Sequence, residues 1–160
     1  MKARRIQPHE VSGAVMECLM KTETYLKGCS IDHKLLELIK YRASQINGCV
    51  NCLDMHHKEA IRLGETEKRL HTVAAWKESP FFTEKERAAL AYTDALTLVS
   101  KSEIDDELFG ELTRYFSKQE IADLTLAITQ INTWNRINKA FKVVPVADQQ
   151  AESKVEMSAN

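Results

Sequence analysis

Three features of this sequence predict an all-α fold. Only five glycines and three prolines punctuate its 160 residues. Alternating apolar and polar runs of the kind strands need are almost absent. Apolar residues instead recur at three- and four-residue spacing through one segment after another.

The elements follow in order. A first helix is expected from about Pro8 to Leu26, with Val11, Val15, Cys18, Leu19 and Leu26 on its apolar face. The stretch "KGCS" breaks it, and Ser30 is placed to cap the next, "IDHKLLELIKYRASQI", where Leu35, Leu38, Ile39 and Ile46 keep helical spacing. Gly48 interrupts. A third helix opens near Cys49 and runs to Leu63, with Gly64 as its stop. "ETEKRLHTVAAWKES" reads as a fourth, ended by Pro80. Thr83 with Glu86, and Ser117 with Glu120, have the spacing of a capping box, so a helix should open at each. Between them "IDDELFGELTRYF" supplies a short helix weakened at Gly110. The last helix runs to about Phe141, with Ile121, Leu124, Ile128, Ile131 and Trp134 along one stripe. Beyond Pro145, "VADQQAESKVEMSAN" has too little apolar content to pack. Residues 1–145 are therefore expected to form a single helical domain and 146–160 a disordered tail.

Composition narrows the function. Hydrophobic residues at 44% and charged residues at 28% are ordinary for a globular chain. A net charge of −1, with Lys and Arg scattered among acids, gives no nucleic-acid footprint. No apolar run reaches the ~18 residues a membrane span requires. "MKARRIQPHE" carries positive charge without an apolar stretch behind it, so no signal peptide is read and a cytoplasmic location is expected. In a reducing compartment a close cysteine pair points to redox or metal chemistry rather than to a disulfide framework.

That pair lies in "NGCVNCLDMHH", residues 47–57. At ~100° per residue, Cys49, Cys52 and His56 fall within an arc of ~60° on one helix. Near a helix start, unpaired N–H groups and the dipole favour a thiolate, so a lowered thiol pKa is expected, with His56 one turn on to take the proton. His57 points about 100° away. Two thiols at this spacing close a disulfide across one turn, which permits a two-electron cycle through sulfenic acid, disulfide and an external dithiol, with no bound cofactor. A zinc site is the lesser reading, because Cys49, Cys52 and His56 lack the second half of the usual ligand motif. Simple burial of small thiols is a third. It is the preferred one for Cys18, on an apolar helix face, and for Cys29, in a turn.

Glu37, followed by "RASQINGCVNCLDMHHKEAIRLGETEKRLHTVAAW", "FTEKERAALAYTDALT" and "INTWNRINKAF", resembles the alkylhydroperoxidase D family within the carboxymuconolactone decarboxylase superfamily. The likeness spans residues 30–142. It implies a compact all-helical fold assembling as trimers or hexamers, and a dithiol peroxidase site. By that resemblance Cys52 attacks the peroxide, Cys49 resolves, and Glu37 with His56 forms a proton relay. Taken without the family, Glu37 reads as a surface carboxylate paired with Lys34 or Arg42. Where the founding peroxidase has a second histidine just before its second cysteine, this chain has Asn51. Asn orients a water but does not titrate, so a shorter relay and a weaker peroxidase are implied. Only the need for a dithiol or thiol donor carries over, not its identity.

Trp134 and Asn135, with Asn51, are candidates to support the pair. Asn132, Asn135 and Arg136 otherwise read as a solvated helix edge. The expected function is reduction of hydroperoxides by an oligomeric dithiol enzyme. The alternatives are a decarboxylase-type enzyme using Glu37 and His56 on a carbon acid, and a zinc-stabilised or purely structural module.

Overall fold

Ser12 ends an extended entry to the first long helix by accepting the N–H of Ala14, so α1 covers Gly13–Lys27. A short 3₁₀ turn, Pro8–Glu10, precedes it, where the sequence suggested continuous helix. The computed structural model describes residues 4–145. The expected tail at 146–160 lies outside the described residues.

Helix α2 spans His33–Asn47. Its cap is Asp32, whose carboxylate accepts the Leu35 N–H at 3.1 Å, and not Ser30. Gly48, at φ 61°, closes α2 in the left-handed conformation that glycine adopts without strain. It therefore ends one helix and does not begin the next. Helix α3, Val50–Arg62, starts two residues after α2 ends, with Cys49 at its N-cap position and Gly64 at φ 86° beyond its end.

The expected fourth helix is split into α4, Glu67–Thr72, and a 3₁₀ turn, Val73–Ala75. The tighter winding turns Val73 and Trp76 into the core, where the indole N–H donates to Asp94 at 3.1 Å. Helices α5, Glu84–Thr97, and α7, Lys118–Phe141, both open on the capping boxes read from the sequence. Helix α6, Asp106–Tyr115, holds Gly110 within it.

α2 runs through the middle, packed on α3, α5 and α7. Leu35, Leu38, Ile39, Leu90, Leu124 and Ile128 fill the main core. Fully burying each such side chain stabilises the fold by roughly 1.5–3 kcal/mol. A second, smaller cluster of Ala43, Cys49, Cys52 and Ile131 is sealed by Trp134. α1 corrects the sequence reading: Leu26 is its only buried residue, while Val15 and Cys18 are exposed. It lies outside α7 and is held largely by polar contacts. Tyr25 donates to Asp123 at 2.8 Å, and Gln130 donates to the Leu19 carbonyl at 3.0 Å. Among the described residues no helix is long and apolar enough to cross a membrane.

Candidate active site

The site forms where α3 folds back on α2 and α7 lies across both. Cys49 and Cys52 are free thiols, 2% and 0% exposed. Both lie in the small core cluster, Cys52 in the first turn of α3 and Cys49 at its N-cap, where the backbone is extended and not helical as the shared arc supposed. His56 and Glu37 are each 7% exposed, and Glu37 Oε2 sits 2.7 Å from His56 Nδ1. Glu37 is thus no surface carboxylate. Lys34 bonds the Gly64 carbonyl and Arg42 pairs with Asp94, while Glu37 Oε1 accepts from Lys40 at 3.0 Å. His57 turns away to Glu67, at 2.9 Å.

Burial works against charge on Glu37. The hydrogen bond and charge of His56, with the ammonium of Lys40, outweigh it and hold the carboxyl below its ordinary value. The ionised carboxylate fixes a proton on His56 Nδ1. The other ring nitrogen, Nε2, is buried and meets no partner among the described residues. A buried polar atom left so costs about 1–3 kcal/mol, and such exceptions cluster where chemistry needs them. No side-chain hydrogen bond joins the imidazole to either thiol among the described residues.

The expected lowering of the thiol pKa does not hold for Cys52. Burial pushes it up to about 11, helped by the hydrogen bond and charge of Cys49. The amides of Asn138 and Asn135 oppose that rise. Cys52 stands in the first turn of α3, but removal from water outweighs the dipole there. The pair rests as a hydrogen-bonded dithiol.

α7 supplies one residue that sequence reasoning missed, Asn138. Asn138 Nδ2 donates to Cys52 Sγ at 3.3 Å. Asn135 is wholly buried, and Asn132 is buried with it, which overturns the reading of a solvated edge. Asn135 Oδ1 accepts from Asn47 at 2.8 Å and its Nδ2 donates to Ser44 at 3.1 Å, so Asn47 sets which way the amide faces. The signal was present in the sequence: Ile128, Ile131, Asn135 and Asn138 continue one stripe at spacings of three and four. Trp134 is half-buried against the cysteine cluster and donates to Glu23 at 2.7 Å. Asn51 is half-buried, and no side-chain hydrogen bond of its own is found among the described residues. Among those residues no group of three or more His, Cys, Asp or Glu side chains converges to hold a metal ion.

Residues 13–95 match the carboxymuconolactone decarboxylase family. The chain belongs to that family. Within it the chain is AhpD-like, as the resemblance implied. It is 39% identical over 139 residues to the uncharacterised protein YdfG of Bacillus subtilis, covering 87% of this chain and 95% of YdfG. A crystal structure from Agrobacterium tumefaciens, of a protein of unknown function proposed to be the antioxidant defence protein AhpD, superposes with a TM-score of 0.86 at 40% identity, over 90% of this chain and 99% of that one. The debrominase Bmp8 superposes with a TM-score of 0.64 at 25% identity, over 84% of this chain and 69% of that one.

Proposed function

We propose that this chain is a thiol-dependent hydroperoxide reductase whose electrons pass through Cys49 and Cys52. The observation that carries the reading is the buried Glu37–His56 hydrogen bond, 2.7 Å long, which leaves Nε2 without a partner on the helix that holds Cys52. A thiol that rests protonated needs a base at the moment of attack, and a histidine oriented by a carboxylate supplies one.

In the proposed cycle Cys52 loses its proton to His56, directly or through water, and its sulfur attacks the O–O bond. The bond breaks, Cys52 becomes a sulfenic acid, and the alkoxide leaves as alcohol with the relayed proton. Cys49 then attacks the sulfenic sulfur, releasing water and closing the disulfide. An external dithiol returns two electrons, and no bound cofactor takes part. Asn51 has no titratable group, so the relay ends at His56.

One equivalent of an organic hydroperoxide should consume two thiols per chain and leave a Cys49–Cys52 disulfide, seen by mass spectrometry. Cys52→Ser should abolish turnover. Unchanged peroxide consumption in that variant overturns the mechanism. The likeness to a debrominase favours a second reading, in which the same dithiol reduces a carbon–halogen bond. Halide release from a brominated aromatic, without peroxide consumption, would select it. Decarboxylase-type acid–base chemistry predicts activity that survives loss of both thiols. We also infer assembly as trimers or hexamers in the cytoplasm. Exposed Val50 and Met55 on α3 support assembly, which light scattering on the purified protein tests.

A further inference from the structure

The two sulfurs differ in what surrounds them. A groove of about 410 Å³ opens beside the start of α3, walled by Gly48, Cys49, Val50, Asn138, Lys142 and Val143. Cys49 is at its wall and Cys52 is not. Cys52 lies behind, with the Asn138 amide on its sulfur and the Asn135 amide beside it. Lys139 also borders the groove but is committed to the carbonyls of Asn47 and Gly48. Lys142 meets no acceptor among the described residues, so the groove presents a cation to an incoming anion.

Resting on the dithiol reading above, we infer that the oxidised pair is reduced from this groove: the thiolate of a small dithiol attacks Cys49, and Cys52 leaves into the two amides of α7. The donor sulfur bonds to Cys49 Sγ as the Cys49–Cys52 bond breaks, and the bonding pair departs on Cys52 Sγ. A mixed disulfide remains on Cys49. The donor's second thiol then attacks the donor's first sulfur and expels Cys49, which takes that thiol's proton. The donor leaves as a cyclic disulfide, having delivered two electrons. Attack on the other sulfur would require entry past Asn138 and would expel Cys49, to which no side-chain amide donates among the described residues.

Leaving-group stability sets the rate of thiol–disulfide exchange along with access. Two of the influences that push the Cys52 thiol up, the hydrogen bond and the charge of Cys49, vanish while Cys49 carries the donor. The amides then act against burial alone. Asn135 and Asn138 are accordingly positioning residues for the departing sulfur, and Asn47 holds the first of them in the donating orientation.

The test uses the full chain with the exposed Cys18 and half-buried Cys29 changed to serine. In this background the Cys52→Ser protein, carrying Cys49 alone, should release thionitrobenzoate from dithiobis(nitrobenzoate) at least about tenfold faster than the Cys49→Ser protein. Equal rates, or a faster Cys52, overturn the inference. Asn138→Ala should raise the ionisation midpoint of Cys52, followed by thiolate absorbance in the Cys49→Ser protein, by about one unit. With the disulfide installed chemically, the same substitution should slow reduction by dithiothreitol about tenfold. An unmoved midpoint with an unmoved reduction rate also overturns it. Because no peroxide is used, failure of the hydroperoxide reading would appear elsewhere, as a pair that does not oxidise with peroxide.

Discussion

With Cys52 pushed up to about 11, its thiolate fraction at pH 7 is only about 10⁻⁴. That deficit corresponds to about 5 kcal/mol of ionisation free energy. A peroxidase resting in this state depends on a base that removes the proton during attack. His56→Ala takes that base away and leaves Cys52 and its amides in place. Single-turnover oxidation of the pre-reduced protein by an organic hydroperoxide, followed through loss of free thiol, should then slow by about 10²–10⁴ near neutrality. The pH profile separates this from simple misfolding. The variant's rate should climb about tenfold per pH unit toward the Cys52 midpoint, because solvent hydroxide now makes the thiolate. The unmodified protein, with its base in place, should show a shallower rise. A variant that loses less than tenfold, or whose profile is flat, would refute the reasoning.

Glu37→Ala should destabilise the fold by about 3–5 kcal/mol in urea unfolding, because it strands the buried His56 without its carboxylate and leaves Lys40 only the more distant Glu23, at 3.9 Å. Since the folded-state pKa of Glu37 is lowered, its contribution is fully present above the ordinary carboxylate range and is lost as pH falls through the lowered value. Acid unfolding of Glu37→Gln should lack that component, and an unchanged acid limb would contradict the pairing. The Cys52 shift has the opposite sense: raised from 9.0 to about 11, it adds about 3 kcal/mol that is present below the lower value and fades as pH climbs to the upper one. Cys52→Ala should flatten the alkaline limb of a stability profile. Gly48→Ala places a side chain at φ 61° and should cost about 1 kcal/mol, read as a lower denaturant midpoint.

Signals confined to a few neighbouring residues were legible in the sequence. Both capping boxes, and the placing of Cys52 and His56 one turn apart on α3, depend only on spacings of three or four along one chain segment. Features that depend on a partner element were not. Gly48 fits a helix start as well as a helix end, and only its positive φ decides. Nothing local tells that Val15 and Cys18 on the apolar stripe of α1 stay exposed while Tyr25 and the Leu19 carbonyl reach α7. Glu37 illustrates both sides. Composition alone favoured a surface ion pair, the family resemblance pointed to His56, and the fold of α3 onto α2 brings the two together. Asn138 was missed, and Asn135 was read only as one candidate support, because asparagine on a helix usually marks a wet edge, although the phase of the stripe placed both inward.

Lys139 ties the last helix to the two carbonyls that end α2, at 2.7 Å and 3.3 Å, directly before the first cysteine. Side chains one turn apart on a helix lie about 5–6 Å from each other at Cβ and a disulfide needs about 3.5–4.5 Å, so closing the bond asks for a shift of about 1–2 Å within the first turn of α3 as well as rotation about Cα–Cβ. The elbow between the helices behaves as a fixed pivot. Electron flow through this protein is in that sense decoupled from shape: reduced and oxidised chains should present almost the same outer contour, and a neighbour that distinguishes them must read the sulfurs themselves.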